Sequence, residues 1–159
     1  METTNKENKD KIIIEHPIKN LFPQYERNLV EAELEDDINE RKLNNKLFEF
    51  VKNKETDALI IRSKKERATI TEANKLKEII FPSIKGGNKK VILDLSNCEF
   101  MDSTFLGLLV LISKKLAKEN GKIVLVLNRE KIKIFHVLNQ IEKYIKIFKN
   151  LDEAVSFLK

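Results

Sequence analysis

The chain is predicted to fold as an α/β protein with a mostly parallel sheet, on three observations. From Leu47 onward, short apolar runs alternate with stretches of helical periodicity in the order β-β-α-β-α-β-α-β-α. Two of the runs, "KKVILDLS" and "KIVLVLN", are apolar on both faces, as interior parallel strands covered by helices are. The first two runs are joined only by a short polar link and read as a hairpin, which adds one antiparallel pair to an otherwise parallel sheet.

The elements follow in order. Met1 to about Lys11 is poor in apolar residues and is expected to be disordered. "KIIIEH" is a short β-like run stopped by Pro17, and Pro23 punctuates the chain again. Gln24 to about Asn44 carries Leu29, Val30, Leu34 and Ile38 among many charges, the pattern of an amphipathic helix that needs a surface to pack on. Residues 1–45 are therefore an extension, partly disordered and partly helical, and residues 46–159 are the domain. The extension is also a candidate element for homodimer formation.

Within the domain, "LFEFVKN" and "DALIIRS" flank the polar "KET" as the two arms of the hairpin. Thr69 and Glu72 have capping-box spacing, ahead of Ala73, Leu76, Ile79 and Ile80 on one face of a helix expected to stop at Pro82. Gly86 and Gly87 break the chain before the "VILDLS" strand, which is expected to end near Leu95. Asp94, at that end, is expected to bond loop amides, and the lone Cys98 to be a small core residue. A second helix is predicted with Leu106, Leu109, Val110, Ser113, Leu116 and Ala117 as its stripe and Gly121 as its left-handed stop. After "KIVLVLN" comes a helix expected from near Arg129, with Ile132, Phe135 and Leu138 inward. "YIKIF" is the last strand, and "NLDEAVSFLK" a closing helix capped by Asn150.

Composition narrows the function classes. At 159 residues and 42% hydrophobic content the chain suits one core. A single cysteine precludes an internal disulfide and fits a reducing interior. The start is polar, with no signal-peptide pattern, and the longest apolar run, Phe105 to Ile112, is far short of the ~20 residues that span a bilayer. A cytoplasmic protein without membrane insertion is expected. The net charge of +5 comes from lysines scattered among acids, with 7% aromatics and no tryptophan, so direct nucleic-acid binding is not the expectation.

The turn "FMDSTFLG", Phe100 to Gly107, joins the "VILDLS" strand to a helix, where α/β sheets collect functional groups. Asp102 or Ser103 suits helix capping, but capping leaves the second hydroxyl, Thr104, without a purpose. Nucleophilic catalysis lacks its partners: the histidines are His16, in the extension, and His136, on a lysine-rich helix, and neither a nucleophile elbow nor a Gly-rich phosphate loop is present. No enzyme and no cofactor is expected. A phosphorylation switch fits better, because a phosphate at a helix N-terminus meets free amides yet adds about −1.5 to −2 charges to a partner surface.

The stretch "VILDLSNCEFMDSTFLGLLVLISKKLAKENGKIVLVL" resembles the core of a STAS domain, the fold of bacterial anti-sigma factor antagonists, with its D-L-S strand end, D-S-S/T-G-L-G turn and G-x-x-V-x-L strand. The resemblance extends over about Leu47 to Lys159. It implies a STAS fold, with a mixed sheet, an opening hairpin and packed helices. It also implies a partner-switching regulator of transcription that binds an anti-sigma factor with serine-kinase activity when unphosphorylated. Phosphorylation of Ser103, or alternatively Thr104, would release the partner, and a PP2C-type phosphatase would reset the site. Asp102, Ser103, Thr104 and Phe105 would form the partner-binding surface. The alternative is a constitutive STAS subunit of a transport or signalling complex that is never phosphorylated. Two positions depart from the pattern. Phe105 replaces the glycine after the paired hydroxyls and is expected to add an aromatic to the partner surface. "SKKERAT" lacks the acidic residue of the family's loop after the second strand and has Thr69 about there.

Overall fold

The computed structural model describes residues 46–133 and 135–159. The β-like run at "KIIIEH" and the helix expected over Gln24 to Asn44 lie outside the described residues.

Strands β1 (Phe48–Lys52) and β2 (Leu59–Ser63) form the hairpin, with Phe48 opposite Ser63 and Lys52 opposite Leu59. Its turn is built by Asn53, whose side-chain oxygen accepts from the N–H groups of Glu55 and Thr56 and from the Thr56 hydroxyl. Asp57 takes a φ of 59°, a left-handed conformation that Asp tolerates better than most residues. Strands β4 (Lys90–Leu95), β6 (Lys122–Leu127) and β7 (Lys146–Phe148) complete a five-stranded sheet in the order β1-β2-β4-β6-β7, parallel at every pairing after the hairpin. Two further strands, β3 (Arg67–Ala68) and β5 (Phe100–Met101), pair with each other in parallel as a separate ribbon that the sequence did not announce.

Alternating residues of the central strands serve two cores. Leu59, Ile61, Val91, Leu93, Leu95, Ile123, Leu125 and Leu127 face helices α1 (Ile70–Lys85), α2 (Ser103–Lys118) and α3 (Phe135–Ile141). Ala58, Ile60, Ile92, Val124 and Val126 face α4 (Leu151–Leu158), which contributes Ala154 and Leu158. Burial on both faces is why these strands read as nearly continuous apolar runs.

The capping box before α1 is present: the Glu72 carboxylate accepts from the Thr69 N–H at 2.9 Å and from its hydroxyl at 2.8 Å. Asn150 caps α4, accepting from the Glu153 N–H at 2.9 Å. Asp94, 3% exposed, accepts from the Ser96 N–H as expected, and it also pairs with the Arg62 guanidinium at 2.9 Å, a partner one strand away.

Four local expectations are corrected. α1 does not stop at Pro82 but runs to Lys85, because a proline one turn from the end forfeits a single backbone bond. Gly86 and Gly87 close the helix by donating to the carbonyls of Pro82 and Ile84. The left-handed residue after α2 is Asn120, with φ 58°, not Gly121. Gly121 is required for another reason: a Cβ there would lie 2.5 Å from the Lys89 carbonyl oxygen, which its neighbour Lys122 uses as a backbone acceptor. The third helix begins at Phe135, not near Arg129. Asn128 instead folds the chain into a turn, its side chain accepting from Glu130 and its carbonyl from Lys131 and Ile132. Ile132 and Leu138 are buried, while the Phe135 side chain lies outside the described part. Finally, the buried stripe of α2 is Phe105, Leu106, Leu108, Leu109, Ile112 and Leu116. Ala117 is exposed, and Val110 and Ser113 are half-buried.

Candidate functional site

The site forms where the β3–β5 ribbon delivers two helix N-termini to the same place. Ribbon pairing sets Arg67 beside Phe100 and Ala68 beside Met101, and the Asp102 N–H continues it by donating to the Ala68 carbonyl at 3.0 Å. α1 and α2 therefore start side by side, each two residues beyond the ribbon.

Asp102 holds both starts. As N-cap of α2 it has extended backbone angles, and its Oδ1 accepts from the Phe105 N–H at 2.8 Å. Its other oxygen, Oδ2, accepts from the Ile70 N–H at 3.1 Å, the first residue of α1. A carboxylate is suited to this because it offers two acceptors and because both helix N-termini carry partial positive charge.

Ser103 is the first residue of α2 and Thr104 the second, and both are exposed. Among the described residues neither hydroxyl has a hydrogen-bond partner. The structure brings Asp102, Ser103 and Thr104 to the same helix start, Asp102 half-buried and the two hydroxyl residues exposed.

Phe105 is not on that surface. Its side chain is 0% exposed and belongs to the main core, so the expected aromatic contribution to a partner surface is corrected. Phe105 lies in line with Leu109, Ile112 and Leu116 on the inward arc of α2, and burial of a phenyl ring there outweighs any gain from leaving it in water. The apolar side chain that the site does expose is Ile70, 56% exposed, whose N–H is the one held by Asp102. Beside it the Arg67 guanidinium stacks on the Phe100 ring at 4.4 Å. Sequence reading missed both: Ile70 was given no role within "TITE", and Arg67 was one charge among the "SKKER" run. Thr69 comes to the site through Ile70 but is engaged by Glu72.

Under the turn, Cys98 is 1% exposed and its thiol donates to the Phe100 carbonyl at 3.1 Å, in keeping with a structural role. Burial pushes the thiol above its ordinary range, against a smaller lowering by the Phe100 and Ala68 backbone.

The STAS domain family model matches residues 36–154. A Thermotoga maritima protein assigned as an anti-sigma factor antagonist is 31% identical over 100 residues, spanning 62% of this chain and 88% of that protein. The crystal structure of an anti-sigma factor antagonist so assigned from the same organism superposes with a TM-score of 0.58 at 25% identity, over 70% of this chain and 93% of the other. The Bacillus cell fate determinant SpoIIAA in its phosphorylated form superposes with a TM-score of 0.55 at 16% identity, over 70% of this chain and 99% of the other, and so shares the fold. Together with the hairpin-led mixed sheet and the Asp102-capped helix, these similarities identify the chain as a member of the STAS domain family.

Proposed function

We propose that this chain is a partner-switching anti-sigma factor antagonist, with Ser103 as its phosphorylation site. The observation that carries the reading is the placement of Ser103: an exposed, unpartnered hydroxyl at the first position of α2, beside a carboxylate held rigid by two helices. The assigned name of the Thermotoga maritima relative supports it, as does the existence of SpoIIAA in a phosphorylated form.

In this reading the unphosphorylated surface of Asp102, Ser103, Thr104 and Ile70 docks on an anti-sigma factor with serine-kinase activity. The Ser103 Oγ attacks the γ-phosphorus of ATP bound by that partner, an Oγ–P bond forms, the bond to ADP breaks, and the hydroxyl proton passes to a base of the partner. Asp102 is poorly placed to be that base, because both its oxygens are engaged by backbone N–H groups. The product adds about −1.5 to −2 charges next to Asp102. Helix N-terminal amides stabilise part of it, but a partner surface fitted to a neutral hydroxyl must desolvate the rest, so the complex dissociates. A PP2C-type phosphatase returns the site to its binding form. All of these steps belong to the cytoplasm.

The test is incubation of the full chain with ATP and the serine-kinase anti-sigma factor of the same cell, followed by mass spectrometry and affinity measurement. Wild type and Thr104→Ala acquire one phosphate, Ser103→Ala acquires none and still binds, and Ser103→Asp binds at least about tenfold more weakly. Phosphate on Thr104 alone, or equal affinity of wild type and Ser103→Asp, would overturn the reading in favour of a constitutive STAS subunit.

A further inference from the structure

Away from Ser103, toward the C-terminal ends of α1 and α2, the outer surface carries a groove of about 930 Å³. Phe81, Ile84, Leu111 and Ala117 give it an apolar floor, and Leu111 is 42% exposed. Its rim is basic: Lys85, Lys114, Lys115 and Lys118 line it, with Glu119 as the acid among them. Lys115 lies over the Phe81 ring at 4.8 Å and Lys114 over the Tyr144 ring at 5.6 Å, so the ammonium groups border the apolar strip. Among the described residues none of the four has a carboxylate within ion-pair distance.

The chain itself contains the complement. Residues 31–40, "EAELEDDINE", carry six carboxylates and no basic side chain, with Leu29, Val30, Leu34 and Ile38 at helical spacing around them. These residues lie outside the described part, but the point from which they extend does not. Phe48 is opposite Ser63, and the Lys64 N–H donates to the Leu47 carbonyl, so the chain enters β1 at the end of the sheet where β2 leads to the starts of α1 and α2. A helix over residues 24–44 would run about 30 Å at 1.5 Å per residue, a little more than the length of α1 or α2. A helix that descended from residue 45 alongside α2 would bring residues 31–40 level with its half from Leu111 to Lys118.

We propose that residues 24–44 fold back along α1 and α2 and seat Leu34 and Ile38 in this groove, with the carboxylates of residues 31–40 against Lys85, Lys114, Lys115 and Lys118. The groove is an intramolecular docking surface for the chain's own acidic extension, and this does not depend on phosphorylation of Ser103.

Zero-length carbodiimide coupling of the full chain tests it, because this reagent joins only amines and carboxylates already in contact. In a mixture of unlabelled and nitrogen-15-labelled protein, peptide mass spectrometry is expected to find links between the groove lysines and carboxylates of residues 31–40 within one chain. Raising the salt to about 0.5 M should lower their yield. Leu34→Ser with Ile38→Ser leaves the set of amines and carboxylates unchanged but removes the apolar anchor, and should cut the yield by more than about tenfold. Three results would overturn the proposal. Links could be absent, they could join labelled to unlabelled chains and so indicate a second copy as occupant, or they could persist at equal yield in the double variant.

Discussion

The Asp102 carboxylate reaches the N–H of Ile70, 32 residues earlier in the chain, at 3.1 Å while capping its own helix through Phe105 at 2.8 Å. One side chain thus satisfies an otherwise free amide at the start of each of two helices. Asp102→Ala should lower stability by about 2 kcal/mol, roughly one cap's worth at each helix. Asp102→Asn keeps one acceptor oxygen and should lose about half as much. Urea unfolding midpoints check this, and equal losses for the two variants would show that a single retained oxygen caps neither helix and that the full carboxylate is required.

Phe105, fully buried, should behave as a core residue and not as a binding residue. Phe105→Ala should cost about 3–5 kcal/mol and Phe105→Leu under about 2, read from thermal unfolding. The leucine variant should retain partner affinity at a temperature where it is folded.

Two glycines should respond in opposite directions to alanine. At Gly121 a methyl group would meet the Lys89 carbonyl oxygen at 2.5 Å, so Gly121→Ala should destabilise by about 1–3 kcal/mol. At Gly107, exposed within α2, a Cβ meets nothing within 4 Å, and Gly107→Ala should stabilise by about 0.5–1 kcal/mol. Calorimetric midpoints of the two variants separate the effects.

Cys98 gives a pH dependence with a definite sign. Its thiol is held above the ordinary range in the folded state by burial, so the unfolded chain releases its proton first as pH rises. Its contribution to stability is fully present below the unfolded value, about 8.5, and declines as pH climbs from there toward the folded value. Cys98→Ala should remove this decline between about pH 8 and 10 while leaving partner binding intact. Thermal midpoints across that range provide the measurement, and an identical slope in the variant would assign the decline to other groups.

Most of the fold was legible because local chemistry and tertiary packing agree. Thr69 with Glu72 and Asn150 with Glu153 cap the helices their spacing announces, and "VILDL" and "KIVLVL" occupy doubly covered strands. What escaped was either too short or too distant in sequence. Arg67–Ala68 and Phe100–Met101 have two residues each, too few for a period to show, and the Asp102–Ile70 bond depends on the crossover that brings two turns together. Phe105 was legible in principle. Its spacing to Leu109, Ile112 and Leu116 is the inward helical stripe, but its place in a polar turn drew the reading toward the surface. Ser103 sits exposed at a helix start after a strand, the place that the strand-turn-helix pattern of the sequence gives it.

The sheet pairs in parallel everywhere beyond its first hairpin, so Leu59 must find Val91, and Lys90 must find Lys122, each about thirty residues away. Only β1 with β2 can zip locally, on a timescale of about 1–10 μs. Every later pairing waits for a loop and a helix to close over it, so the rate-limiting barrier in refolding should contain the β2–β4–β6 centre, with the hairpin already assembled at its edge.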